Sequence, residues 1–160
     1  MNTKTEAIVI NPVQLKEHWQ GHRKLTRRVI DAFPEKQLFH FTLGEMRPFG
    51  PMVEELIAIA GPGVKGLATG EWNKLDENLN MGEDKEKLLE VWDQTTEEIE
   101  RWFPQIDPEK FQEKVIAFDQ YEDKAYCTLF YFIDNEIHHR GQGYVYLRAL
   151  GIVPPNFWER

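Results

Sequence analysis

The chain has 160 residues, 41% of them hydrophobic and 12% aromatic, which is enough large apolar surface to build the core of one domain spanning residues 1–160. Nineteen Lys and Arg stand against 27 Asp and Glu, a formal charge of −8 that opposes a nucleic-acid partner. The apolar runs 56–60 and 127–133 fall far short of the roughly 20 residues a membrane span needs. Cys127 stands alone, so no internal disulfide forms and a reducing, cytoplasmic setting is expected, with the thiol as a small core residue.

Residues 1–6 are polar and carry no basic stretch followed by an apolar one, so no secretory signal is expected there. Pro12 suits the first turn of a helix. Leu15, His18, His22, Leu25, Val29 and Ala32 then recur at spacings of three and four, one face of a first helix that Pro34 ends near Phe33. Residues 36–48 read as a connector anchored by Phe39 and Phe41. A second helix is predicted over 51–60, where Gly61-Pro62-Gly63 should kink or break it before a short helical piece reaching Leu67. Thr69-Gly70 marks its exit, and the polar, aperiodic stretch 71–82 reads as a loop.

From Asp84 a third helix places Leu88, Trp92, Thr95, Ile99 and Trp102 at alternating steps of four and three, the seam of near-parallel helix packing, and stops at Phe103-Pro104. Residues 111–118 read as extended or irregular. A fourth helix is expected to begin near Tyr121, with Tyr126, Phe130, Ile133 and Ile137 on one face, and to run past Gly141 to Tyr144 and about Leu150. Gly151 suits the left-handed residue that closes a helix, and Pro154-Pro155 blocks its continuation. Four amphipathic helices without convincing strands predict an all-α four-helix bundle. Lys16, Arg23, Lys24, Arg27 and Arg28 make the first helix basic while residues 83–100 are acid-rich, a pattern that complementary solvated helix faces explain.

The stretch Asp134-Asn135-Glu136-Ile137-His138-His139-Arg140-Gly141-Gln142 is polar and histidine-rich in the middle of that apolar helix. Asn135 and His139 lie one turn apart and point the same way, so both can approach one small ligand or ion. His138 projects about 100 degrees away and cannot share that task. No phosphate-binding loop, dinucleotide fingerprint, zinc-knuckle cysteines or nucleophile elbow occurs.

Residues 136–142, followed by Tyr146-Leu147-Arg148 and Gly151-Ile152-Val153-Pro154-Pro155, resemble the C-terminal signature of DinB-like proteins. The likeness continues more loosely over most of the chain. It implies an up-down-down-up four-helix bundle, often a homodimer, with zinc or nickel held by three histidines in many members. Some relatives are thiol-dependent transferases or isomerases and some are hydrolases, so the fold by itself settles no reaction.

Carried onto this chain, the three-histidine pattern keeps only His139. Asn135 stands where the first member of a His-x-x-x-His pair would be, and Ala58 stands at the second-helix position. An amide oxygen is a weaker ligand for such metals than imidazole, and alanine offers none. Glu55, one turn before Ala58, is placed to send a carboxylate toward His139, and His22 on the first helix can join them. Two readings stay open: a rearranged ion or small-molecule site built from His139, Asn135 and Glu55, with His22, Arg140 and Gln142 around it, or a satisfied polar network with no metal. Arg140 is expected in a salt bridge, and Trp92, Tyr144 and Tyr146 in packing.

Overall fold

The computed structural model describes residues 8–160, so the expectation of no secretory signal over 1–6 lies outside the described residues. The chain is mostly helical. Helix α1 spans Pro12–Ala32, α2 Glu35–His40, α3 Phe49–Thr69, α4 Lys85–Trp102 and α5 Ala125–Ala149. Among the described residues five α-helices therefore stand where four were expected: α2 is a short extra turn at the start of the connector, and it buries Leu38 and Phe39. None of the helices among the described residues is long and apolar enough to cross a membrane.

Local chemistry sets the ends. Asn11 caps α1 reciprocally: its side chain accepts from the Gln14 amide at 2.9 Å while its own amide donates to the Gln14 side chain at 3.0 Å. Asp84 caps α4 by accepting from the Lys87 amide. Gly151, at φ 76°, closes α5: the Ile152 amide reaches back to the Leu147 carbonyl and the Gly151 amide to that of Arg148.

Helix α3 runs unbroken through Gly61-Pro62-Gly63, so of the expected kink or break the break does not occur. Pro62 faces solvent, and its two glycine neighbours serve close packing instead of breaking the helix. A Cβ at Gly61 would run into the Glu98 carboxylate on α4, and one at Gly63 would lie 2.5 Å from the Phe132 ring on α5. The missing side chains let α3 press against both neighbours, and that packing outweighs the backbone cost of the proline.

Residues 114–124 form an antiparallel hairpin of β1 Lys114–Ala117 and β2 Tyr121–Lys124, in the register Lys114↔Lys124 to Ala117↔Tyr121. The fourth long helix thus begins at Ala125 and not near Tyr121, because ladder pairing claims the preceding backbone. Phe118 in the hairpin turn takes φ 55°, an uncommon conformation for a bulky residue. Burial of its ring against Trp72 and Phe132 holds it there.

Helix α3 packs on α4 and α5, and α1 packs on the same two helices from the other side. The interior divides into two apolar clusters. One contains Leu15, Trp19, Val64, Ile99, Leu129 and Phe132; the other contains Val29, Phe49, Leu56, Leu88, Trp92 and Leu147. Helices α1 and α5 meet these in that order along the chain, whereas α3 and α4 meet them in reverse. Between them lies a layer of buried polar side chains: His22, Arg23, Thr26, Glu55, Glu136, His139 and Arg140.

The inward face of α5 differs from the expected one. Ile133 is buried, but Phe130 is 40% and Ile137 37% exposed, and Leu129, Phe132, Glu136, Arg140 and Leu147 point inward instead. The expected complementarity of α1 and α4 is present: Lys16 pairs with Glu100, and Arg27 grips Asp93 with two hydrogen bonds of 2.7 and 2.9 Å. Arg23 departs from it, since it is fully buried.

Candidate functional site

The central turns of α5 send side chains to two sides. Residues 136 and 140 face α1, while 135, 139 and 142 converge toward α3, as a rotation of about 100 degrees per residue requires. His138 is exposed and makes no hydrogen bond in either set, its ring standing edge-on to that of His139 with centroids 5.1 Å apart.

On the α3 side, Glu55 Oε1 accepts from Asn135 Nδ2 and lies 3.2 Å from His139 Nε2, also 3.2 Å in the first contact. The other ring nitrogen of His139 faces Gln142 Oε1 at 2.7 Å. Glu55 Oε2 accepts from the Arg47 guanidinium at 2.6 Å. Arg47 belongs to the connector ahead of α3, and the Tyr146 hydroxyl positions that segment by donating to the Arg47 carbonyl at 2.8 Å. The hydrogen bond from His139, aided by those from Arg47 and Asn135, outweighs desolvation and pulls the Glu55 carboxyl down to a pKa of about 2.

On the α1 side, the Glu136 carboxylate accepts from Thr26 Oγ1 at 2.6 Å and Trp19 Nε1 at 3.1 Å. Two guanidiniums flank it, with Arg23 at 3.7 Å and Arg140 at 4.0 Å. Arg23 also lies 3.4 Å over the Trp92 ring and donates to the Trp92 carbonyl and to Thr96 Oγ1. Burial lowers its pKa to about 10, with Glu136 opposing the shift. Arg140 can only donate, so its 2.9 Å contact makes His22 Nδ1 an acceptor and the imidazole neutral. His18 Nε2 lies 3.1 Å and Arg160 Nη1 3.0 Å from the second ring nitrogen. Burial first, then the charges of Arg140, His18 and Arg160, push the His22 pKa down to about 3.

The structure thus brings together Glu55, Asn135, His139 and Gln142 and places His22 and Arg140 in the other network. The predicted convergence of His22 on Glu55 and His139 is corrected: His22 faces Arg140 across the α1–α5 contact, on the far side of α5. Sequence reasoning also missed Arg47, Arg23, Thr26 and Trp19. Glu136 had a readable signal, an acidic residue four positions before Arg140 and within the inward spacing of Phe132 and Ile133.

The residues present do not fit a divalent transition metal. The α3-side cluster offers one imidazole, one carboxylate and one amide, and the carboxylate is already neutralised by a guanidinium that would repel an incoming cation. Among the described residues no three of His, Cys, Asp and Glu are grouped to hold an ion.

Along the same face lies a cavity of about 480 Å³, within the usual range for small-molecule sites. Ile59, one turn after Glu55, and Tyr131, one turn before Asn135, belong to its wall. The two features are electrostatically joined: burial first, then the charges of Glu55 and Glu77, raise the pKa of the Tyr131 phenol.

Residues 86–160, just under half of the chain, match the DinB family. A DinB-like protein from Bacillus subtilis superposes with a TM-score of 0.71 at 18% identity, covering 92% of this chain and 99% of that one. A second, from Bacillus cereus, gives 0.71 at 12% identity, with 91% and 97% covered. The chain therefore shares their fold nearly end to end. A comparison with curated protein sequences gives no match.

Proposed function

We propose that this chain is a DinB-like family protein, a four-helix bundle of up-down-down-up course, that binds a small molecule in the cleft between α3 and α5 without a resident transition metal. The order in which the four long helices meet the two apolar clusters supports that course, and the family match over α4 and α5 supports the membership. The observation that carries the metal-free reading is the Arg47 guanidinium on Glu55: it supplies, from the protein itself, the positive charge a bound cation would bring. Both nitrogens of His139 are engaged, so the ring is a fixed part of the wall. Binding, and not catalysis, is what this geometry serves.

Two measurements test this. Elemental analysis of the native protein should find no stoichiometric zinc or nickel, and titration with either ion should give no site-specific heat. Phenethyl alcohol, a neutral probe of suitable size, should shift the amide resonances of Ile59, Tyr131 and Asn135. Their indifference up to about 10 mM to this probe and to its charged counterparts of the same shape, a binding energy below roughly 3 kcal/mol, would sink the cleft as a ligand site. A second reading, a metal-dependent hydrolase or thiol-dependent transferase, draws on the meeting of Asn135 and His139 at one carboxylate oxygen. One equivalent of metal, lost in His139→Ala, would establish that site in place of the metal-free one.

A homodimer and a cytoplasmic location complete the proposal. The outward positions Phe130, Ile137 and Val145 of α5 give a pairing surface apolar contact area, and light scattering at twice the chain mass is the expected result. The single cysteine accords with a reducing compartment.

A further inference from the structure

The cavity beside the polar cluster has a one-sided charge pattern. Its floor is apolar, made by Ile59, Ala117, Phe118 and Phe132. Its rim carries three carboxylates, Glu77, Glu122 and Asp123, and among the described residues no lysine, arginine or histidine lines it. Lys114 pairs with Glu122 at 2.8 Å, whereas no ion pair involves Glu77 or Asp123 among the described residues. The rings of Tyr121 and Tyr131 stand at the same opening, more than half exposed.

An apolar pocket with an anionic rim selects by charge. A neutral apolar molecule gains only the floor, and an anion meets the rim carboxylates, of which Lys114 offsets Glu122 directly and Asp123 in part while Glu77 stands apart from it. An ammonium group on an apolar body gains both, with an aromatic face available to it at the mouth. We infer that the cavity bounded by α3, α5 and the β1–β2 hairpin binds a small organic cation, an ammonium carried on an aromatic or aliphatic body. The inference deepens the cleft reading and rests on it. It assigns the recognition of charge to Glu77 and Asp123, which lie outside the Glu55 cluster.

Three probes of one shape test it by calorimetry: phenethylammonium, phenethyl alcohol and hydrocinnamate. The ammonium compound should bind at least about tenfold more tightly than the carboxylate. Glu77→Gln combined with Asp123→Asn, both at exposed positions, should remove most of that gap while leaving the affinity for the alcohol unchanged. Equal affinity for all three probes would overturn the cation assignment and leave the cleft reading standing; binding by none would overturn both. Cys127, the only cysteine of the chain, lines the cavity and gives a second readout. A cationic methanethiosulfonate reagent should label it faster than an anionic one by about tenfold or more, relative to free cysteine, and the double variant should erase the preference. Equal relative rates would count against the inference.

Discussion

The two sides of α5 use similar side chains to different ends. Toward α1, Glu136 and its guanidinium partners are sealed between helices, with Arg23 wholly buried and Glu136 1% exposed. Toward α3, Glu55 and His139 are nearly as deep, but their cationic partner Arg47 has a side chain 51% exposed, and a cavity opens along the same face. The sealed Glu136–Arg23 pair therefore acts on stability, while the other network borders a space that a small molecule can enter. Charge buried in a helical protein is not by itself a site; access distinguishes the two.

The largest effect should come from breaking the sealed side. Glu136→Ala leaves the Arg23 and Arg140 guanidiniums facing each other without their shared carboxylate, and a loss of roughly 3–5 kcal/mol is expected, read as a lower urea midpoint. A change below about 1 kcal/mol would mean that water reaches these charges after all.

Acid should separate the networks by pH. His22 stays neutral in the fold down to about pH 3, whereas the unfolded chain takes up that proton near 6.5, so stability falls as pH drops through this window. Glu55 stays ionised down to about 2, so its contribution, full above roughly 4.5, is lost only between there and 2. The urea midpoint should therefore begin to fall above pH 4.5, and His22→Gln should flatten that first part of the profile. An unchanged profile in the variant would remove His22 as its source.

Smaller effects belong to the open side. Glu55→Gln weakens three charge-assisted contacts at a half-open site and should cost about 1–3 kcal/mol. Arg47→Ala should cost under about 1 kcal/mol, because water replaces an exposed guanidinium. It should also raise the Glu55 pKa, seen as a carboxyl resonance titrating at higher pH. A cost for Arg47→Ala equal to that of Glu136→Ala would erase the distinction between the two sides.

The helix termini were largely readable. Pro12, Pro34, Gly70, Asp84 and Gly151 act through local backbone and capping chemistry, and each stands at or beside an observed boundary. The same local logic could not say that α3 continues through Gly61-Pro62-Gly63, where α4 and α5 pack into the glycine gaps, and it missed the β1–β2 hairpin, whose strands gain their ladder from each other. At the site, the i,i+4 spacing of Asn135 and His139 and the placement of Glu55 led to residues that do meet. The role of Arg47 was not legible, because a connector has no period to say where its side chain lands.

The sequence by itself determined that this is a mainly helical chain with a polar break at 134–142, because helix periodicity and capping act over a few residues. Only the tertiary structure decided which side of α5 each polar residue serves, that His22 stands apart from Glu55, and that a guanidinium occupies the carboxylate. Those outcomes depend on contacts between residues far apart in sequence, where spacing along one helix carries no information about the partner across the interface.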